Sequence, residues 1–265
     1  ESFPVAYEIN EQTSDALSNI APGSFPVEAI HRGFQGWVDV RGAGVRFDYL
    51  GMTPIERTLN DNHNVVSFVD HDYNYNGALA VANYWYYTST GEMADCDIVF
   101  NPANSYETQG LHEDHFDVHS LTVHEVGHLL GISHSGLLST VMYPYAGSEM
   151  QKRRMMWPDD RQAVGDAHPS GAWSSERGAL SGTVRRNGQP AFGAHVVAIN
   201  GNHEPVAGRL AQKDGTYRIE GLPPGEYQVV VEPMDRPLSQ GNFFSAYWQS
   251  RAFEDDFPTL YLGGN

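Results

Sequence analysis

The sequence predicts an α+β domain, a twisted mixed sheet with three helices, followed by a smaller all-β sandwich. Three observations carry that prediction. Up to about residue 168, apolar residues recur at helical spacing in some stretches and in short strand-like runs in others. Residues 169–177 read Pro-Ser-Gly-Ala-Trp-Ser-Ser-Glu-Arg, a linker-like composition. Beyond them helical periodicity disappears, and short alternating segments are separated by turn signals. These shifts place one domain at 1–172 and a second at 178–265, and a chain of 265 residues suits two domains of ordinary size.

The elements follow in order. Val27, Ile30, Phe34 and Trp37 repeat at helical spacing and predict an amphipathic helix over 24–40, with Ser24 as N-cap and Pro26 in the first turn. Strand character then appears at Val45–Leu50, Asn64–Val69, Ala78–Thr88 and Ala94–Phe100, interrupted by Gly, Asn and Asp clusters. A polar loop, Asn101–Asp114, leads into a second helix from about Phe116 to Leu130, where Gly131 stands at the position that favours a left-handed residue. A third helix starts at Pro158, with Asp159 and Asp160 in a first turn whose dipole favours negative charge. In the second domain the strands are Leu180–Arg185, Ala194–Asn200, Thr216–Ile219 and Glu226–Glu232. Asn187-Gly188, Asp214-Gly215 and Pro223-Pro224-Gly225 supply the turns. The tail from Pro237 to Asn265 holds Phe243, Phe244, Tyr247, Trp248, Phe253, Phe257 and Tyr261. It is expected to complete the sandwich or to pack between domains, with an exposed aromatic strip for ligands as the other reading.

Composition removes several function classes. Lys and Arg number 16 against 33 Asp and Glu, so the net charge is −17, which opposes binding to a phosphate backbone. The only basic runs are Lys152-Arg153-Arg154 and Arg185-Arg186. No apolar run approaches the ~18 residues that a spanning helix needs. The single cysteine, Cys96, excludes an internal disulfide and any cysteine-rich zinc cluster within one chain, so a metal would need His and carboxylates. The chain begins at Glu1 without an initiator Met or a basic-then-apolar leader, which points to a processed or trimmed product.

Six of the 12 histidines, His112, His115, His119, His124, His128 and His134, crowd into 23 residues. Within them runs His124-Glu125-Val126-Gly127-His128-Leu129-Leu130-Gly131-Ile132-Ser133-His134-Ser135. Residues four apart on a helix lie nearly one above the other, so His124 and His128 can grip one ion from one face. Gly131 lets the chain turn out of the helix, and three residues later His134 can return as a third nitrogen ligand. Three imidazoles leave a coordination position open, as a catalytic ion requires. Glu125, one step round from His124, is then placed as general base. A His-Glu-x-x-His string alone can be a solvated polar face. The third His after a correctly placed Gly, and Met142 in Thr140-Val141-Met142-Tyr143-Pro144, make it the extended motif.

On these residues, positions 1 to about 170 resemble a metzincin catalytic domain and, within that clan, the matrixins, which include the matrix metalloproteinases. Ser135 after the third His, Asp97-Ile98-Val99-Phe100-Asn101, Met142-Tyr143-Pro144 and Trp157-Pro158-Asp159-Asp160 all match the matrixin pattern. The resemblance implies a secreted, extracellular zinc endopeptidase acting on protein or peptide substrates. It implies one catalytic Zn2+ on His124, His128 and His134, with Glu125 as catalytic base and Met142 packing beneath the site. Leu137–Met156 would wall the pocket for the residue after the cut bond, with Tyr143, Pro144 and Tyr145 lining it, and its Leu, Val and Tyr content suits an apolar or aromatic side chain.

The departures are equally specific. No inhibitory propeptide Cys is present, and Cys96 reads as a core or edge residue of a strand. Asp70-His71-Asp72 only loosely matches the matrixin structural-zinc set, and His112, His115 and His119 read as a hydrated loop and helix start rather than a second metal site. Ca2+ remains open, since the acidic loops carry no motif that fixes its ligands.

Residues 178–233 resemble the carboxypeptidase regulatory-like domain, a transthyretin-like sandwich. The matching runs are Gly182-Thr183-Val184, Gly193-Ala194-His195-Val196, Asp214-Gly215-Thr216-Tyr217 and Gly221-Leu222-Pro223-Pro224-Gly225-Glu226-Tyr227. The resemblance implies an accessory module that orients the protease, contacts a substrate or cell surface, or stabilises the fold. All catalytic residues precede 169–177, so the sandwich is expected to be dispensable for chemistry. Two rivals accompany the endopeptidase reading. One is a non-catalytic zinc-containing adhesion or binding protein on a metzincin scaffold. The other is an exopeptidase suggested by the second module, although the zinc motif does not resemble that of the carboxypeptidases.

Overall fold

A five-stranded mixed sheet organises the first half of the chain. The computed structural model describes residues 3–146, 153–171, 173–243 and 245–262. Positions 147–152 of the expected pocket wall, Ala172 of the linker and Phe244 of the tail lie outside the described residues. Packing divides the chain into two compact units, Glu1–Gly131 with Gly147–Met155, and Ile132–Ala146 with Met156–Asn265. The composition boundary at 169–177 therefore falls inside the second unit.

The first unit contains β1 (Val5–Asn10), α1 (Pro26–Val38), β2 (Phe47–Thr53), β3 (Val65–Ser67), β4 (Ala80–Tyr86), β5 (Met93–Phe100), the short β6 (Tyr106–Glu107) and β7 (Phe116–Asp117), and α2 (Val118–Leu129). The sheet order is β2-β1-β3-β5-β4. The first four run parallel, and β4 lies antiparallel to β5 at the edge. β5 ends in a run of six buried residues, as expected of a strand covered on both faces. Phe68 and Phe100 stack at 4.1 Å, with the buried Tyr106 edge-on to both.

α1 buries Pro26, Ala29, Ile30, Gly33, Phe34 and Trp37, the stripe its spacing predicts. Its N-cap is Phe25 without a side-chain cap, which corrects the expectation for Ser24. The Phe25 N–H instead donates to Thr108 Oγ1 at 3.0 Å. α1 packs on α2. Trp37 Nε1 donates to the Val123 carbonyl at 2.8 Å, and Gly33 approaches so closely that a Cβ there would lie 2.5 Å from Thr122 Cγ2.

The second unit contains α3 (Pro158–Ala167), β8 (Gly178–Thr183), β9 (Arg185–Arg186), β10 (Gln189–Pro190), β11 (His195–Asn200), β12 (Pro205–Leu210), β13 (Thr216–Leu222), β14 (Tyr227–Glu232), a 3-10 turn (Gln240–Asn242), α4 (Ala246–Gln249) and β15 (Leu260–Leu262). β12-β11-β14-β15 form an antiparallel sheet, and β13 pairs with β8. Val196, Ala198, Val231, Tyr217, Ile219 and Leu222 share one core. The tail does complete the sandwich, because β15 pairs with β14 and Phe257 packs on that core. Phe192, stacked on Trp248 at 5.6 Å and met edge-on by Phe253, anchors the rest of the tail.

β11 is buried at His195, Val196, Val197 and Ala198 rather than at alternate residues. Val196 and Ala198 face the sandwich core, while Val197 and Ile199 pack with Leu137 and Val230 on the opposite face. Leu137 thus covers part of the outer face of this sheet. α3 packs on β12 and β13. Among the described residues, no helix is long and apolar enough to cross a membrane.

Candidate metal centre

α2 is buried almost all round: Val118, Ser120, Leu121, Thr122, Val123, Glu125, Val126, Gly127 and Leu129 are all buried. Only His119, His124 and His128 are partly exposed. Its start is fixed by Asp117, whose carboxylate accepts the Ser120 N–H at 2.7 Å and is held by Arg154, Nε to Oδ1 at 3.0 Å. Neither partner of that clamp carries a sequence signal, because 37 residues separate them.

The helical spacing does what the sequence predicts. His124 and His128 rings lie 4.8 Å apart at 89°, with their Nε2 atoms separated by 3.2 Å. Two nitrogens at ~2.0–2.1 Å from a tetrahedral ion would be roughly 3.3 Å apart, so both lone pairs suit one ion. Gly131 takes φ +78° and leads the chain out of the helix. His124 and His128 belong to the first unit, and His134 follows three residues after Gly131 at the start of the second. His134 Nδ1 lies 2.6 Å from the Asn242 carbonyl, which can only accept, so Nδ1 carries the proton and Nε2 the lone pair. Burial holds the His134 pKa below the ordinary histidine value, which favours the neutral ligand form. The donor set fits zinc.

Glu125 is buried, and its Oε2 accepts the Ala82 N–H at 2.8 Å. Burial pushes its pKa up to about 8 while the Ala82 bond pulls it down. Glu125 thereby takes up a backbone N–H of β4, the last strand in the sheet order.

The segment after Gly131 is held from farther away. Ser135 N–H donates to the Met142 carbonyl at 2.9 Å, closing the loop that ends in the buried Met142. Asp160 accepts N–H bonds from Val141 at 3.1 Å, Met142 at 3.3 Å and Trp157 at 2.8 Å. Asp159 accepts the Ser135 hydroxyl at 2.7 Å and the Gly208 N–H at 2.9 Å. The two aspartates, legible in the sequence only as first-turn charges, are buried scaffolding of this loop. Among the expected pocket residues, Tyr143 is buried, Pro144 is half-buried, and the Tyr145 hydroxyl lies 3.3 Å from the Pro237 carbonyl and from Asn242 Oδ1.

The other histidines and acids separate from this centre. His112, Asp114 and His115 form a second potential ligand group on an exposed loop, whereas His119 is half-buried and touches the Arg32 backbone. Asp70 accepts from Thr58, Asp72 and Tyr73 and so builds its own loop, and Asp72 pairs with Arg57 at 2.6 Å. Cys96 is buried in β5.

Comparison with known proteins places these features. A protein of Trichoplusia ni ascovirus 2c, named as a candidate matrix metalloproteinase, is 38% identical over 53 residues, which are 20% of this chain and 11% of the viral protein. The chain therefore spans only a small part of that relative. Residues 179–235 match the carboxypeptidase regulatory-like domain. Residues 4–168 match the matrixin profile, and the chain belongs to the matrixin family of zinc-dependent metallopeptidases.

Proposed function

We propose that the chain is a secreted endopeptidase that cuts internal peptide bonds, with His124, His128 and His134 holding Zn2+ and Glu125 as general base. When bound, the ion would supply Lewis-acid polarisation of the scissile carbonyl. The remaining work falls to the chain itself. Glu125 would take a proton from the attacking water and return it to the leaving amine, and a pKa near neutrality suits a group that does both. The neighbouring cation would act on that pKa in the same direction as Ala82.

The observation that carries an endopeptidase over an exopeptidase is the edge of β4. β4 ends the sheet order and its Ala82 N–H is bonded to Glu125, so an extended peptide added along this strand would pass the base in mid-chain. Met142 would support the site by packing, and Tyr143, Pro144 and Tyr145 would line the pocket for the residue after the cut.

The test is an internally quenched peptide blocked at both ends. Cleavage that a chelator abolishes and zinc restores is the expected result. Cleavage only of peptides with a free terminus would overturn the endopeptidase reading, and zinc binding without any turnover would favour the adhesion scaffold. Signal in culture medium rather than in cell lysate, read by immunoblot of the native host, tests secretion.

A further inference from the structure

We propose that the C-terminal segment Ser239–Asn242 is a positioning element of the metal centre, its Asn242 carbonyl fixing the tautomer and orientation of His134. The inference rests on the reading of His134 as a zinc ligand. A neutral imidazole carries one N–H and one lone pair, and either nitrogen can hold the proton. The 2.6 Å contact with Asn242 O settles that choice, since a carbonyl rewards only the Nδ1–H form, and it turns the ring so that Nε2 points away from the tail. Bonds of this kind orient ligands and raise their basicity.

The carbonyl is itself well held. Asn242 Oδ1 accepts the Ser239 N–H at 2.8 Å, and the Asn242 N–H donates to Ser239 O at 3.0 Å, so the turn is closed from both sides. Asn242 Nδ2 reaches the Tyr145 hydroxyl at 3.2 Å, which ties the turn to the loop carrying His134 and Met142. Gln249 Nε2 donates to the carbonyls of Gln240 and Phe243 at 2.7 and 2.8 Å, and Phe243 is buried. The tail therefore supplies a rigid acceptor rather than a passing contact. The proposal stands against the expectation that everything after 177 is dispensable for chemistry, since it gives the tail a part in holding His134.

The experiment uses the full chain and two substitutions. Asn242→Ala removes the side chain that closes the turn, and Asn242→Asp keeps the acceptor for Ser239. Zinc affinity is measured by competition with a chromogenic chelator, and the His134 Nδ1–H is followed by 1H–15N NMR in metal-free protein. Wild type should show a slowly exchanging Nδ1–H. Asn242→Ala should lose that signal and bind zinc about 10–100-fold more weakly, the usual effect of losing a ligand's supporting partner. Asn242→Asp should recover most of both. A folded Asn242→Ala protein with wild-type zinc affinity overturns the proposal. So does a wild-type His134 that carries its proton on Nε2, a result that needs no variant to fold. Wild type that shows the Nδ1–H signal but binds no zinc would instead defeat the zinc-ligand reading.

Discussion

The helix half of the His124–His134 string and the loop half are secured by opposite means. His124, Glu125 and His128 are placed by the repeat of one helix, α2, whose other sides are buried. His134 and Met142 lie on a segment with no regular structure of its own, and their positions depend on Asp159, Asp160 and Asn242, which lie 18 to 108 residues away along the chain. Local periodicity is cheap in chain entropy and visible in sequence. A loop ligand needs partners gathered from a distance, each of which must offset the ordering it requires.

The largest expected effect separates two neighbours on the helix. Glu125→Ala leaves every imidazole in place, so zinc content measured by elemental analysis should stay near wild type while turnover falls by about 10² to 10⁴. His128→Ala should lose both metal and turnover, since two imidazoles remain. Full turnover in Glu125→Ala would remove the base while leaving the metal site intact.

Next comes the loop. Asp160→Ala strips the acceptor from the buried N–H groups of Val141 and Met142 and the part-buried one of Trp157, a buried one costing about 1–3 kcal/mol when orphaned. Denaturant melts should show a loss of roughly 3 kcal/mol or more. A smaller effect is expected on the helix side, where Gly33→Ala pushes a methyl into Thr122 and should cost about 1–3 kcal/mol of stability. If Gly33→Ala proves the more damaging of the two, the helix half is the more fragile and the contrast is inverted.

A pH slope tests both halves at once, and both units contribute. Desolvation raises Asp97 in the first and Asp160 in the second to about 7, against the partial relief of their N–H partners. An unfolded aspartate titrates near ~3.9, so between these values the folded chain binds the extra protons. Stability of the metal-free chain should therefore fall as pH rises from about 4 to about 7, with Glu125 extending the fall to about 8. Asp160→Asn and Asp97→Asn should each flatten part of that fall in melting temperatures taken across the range.

Much of this was legible in the sequence for a physical reason. The α2 string, the left-handed turn at Gly131 and the start of α3 at Pro158 are set by neighbours within a turn or two, and each stands where the spacing put it. β1 was not anticipated, because Glu8 and Asn10 break the apolar run of Val5, Ala6 and Tyr7. β12 was missed as well, since it opens on Pro205 and includes Gly208, both weak strand formers. The Arg154 clamp and Asn242 had no local signature, and the first-turn position of Asp159 and Asp160 did not disclose which loop they hold. They matter through contacts that only folding creates.

The double-sided burial of β11 bears on how such proteins can be recombined. A module with one wet face can be exchanged for a relative by matching its two chain ends. β11 has no wet face at Val196–Ala198, because one side belongs to the sandwich and the other to Leu137. Gly136 and Gly208 are cut to fit the His195 ring, since a Cβ at either would approach its Nε2 within 2.7 Å. A chimera joined at 169–177 would set a foreign sheet against a loop shaped for this one. The natural cut points for a transplant lie instead around 132–146 and 156–265, so that the loop, α3 and sandwich travel as a single cassette.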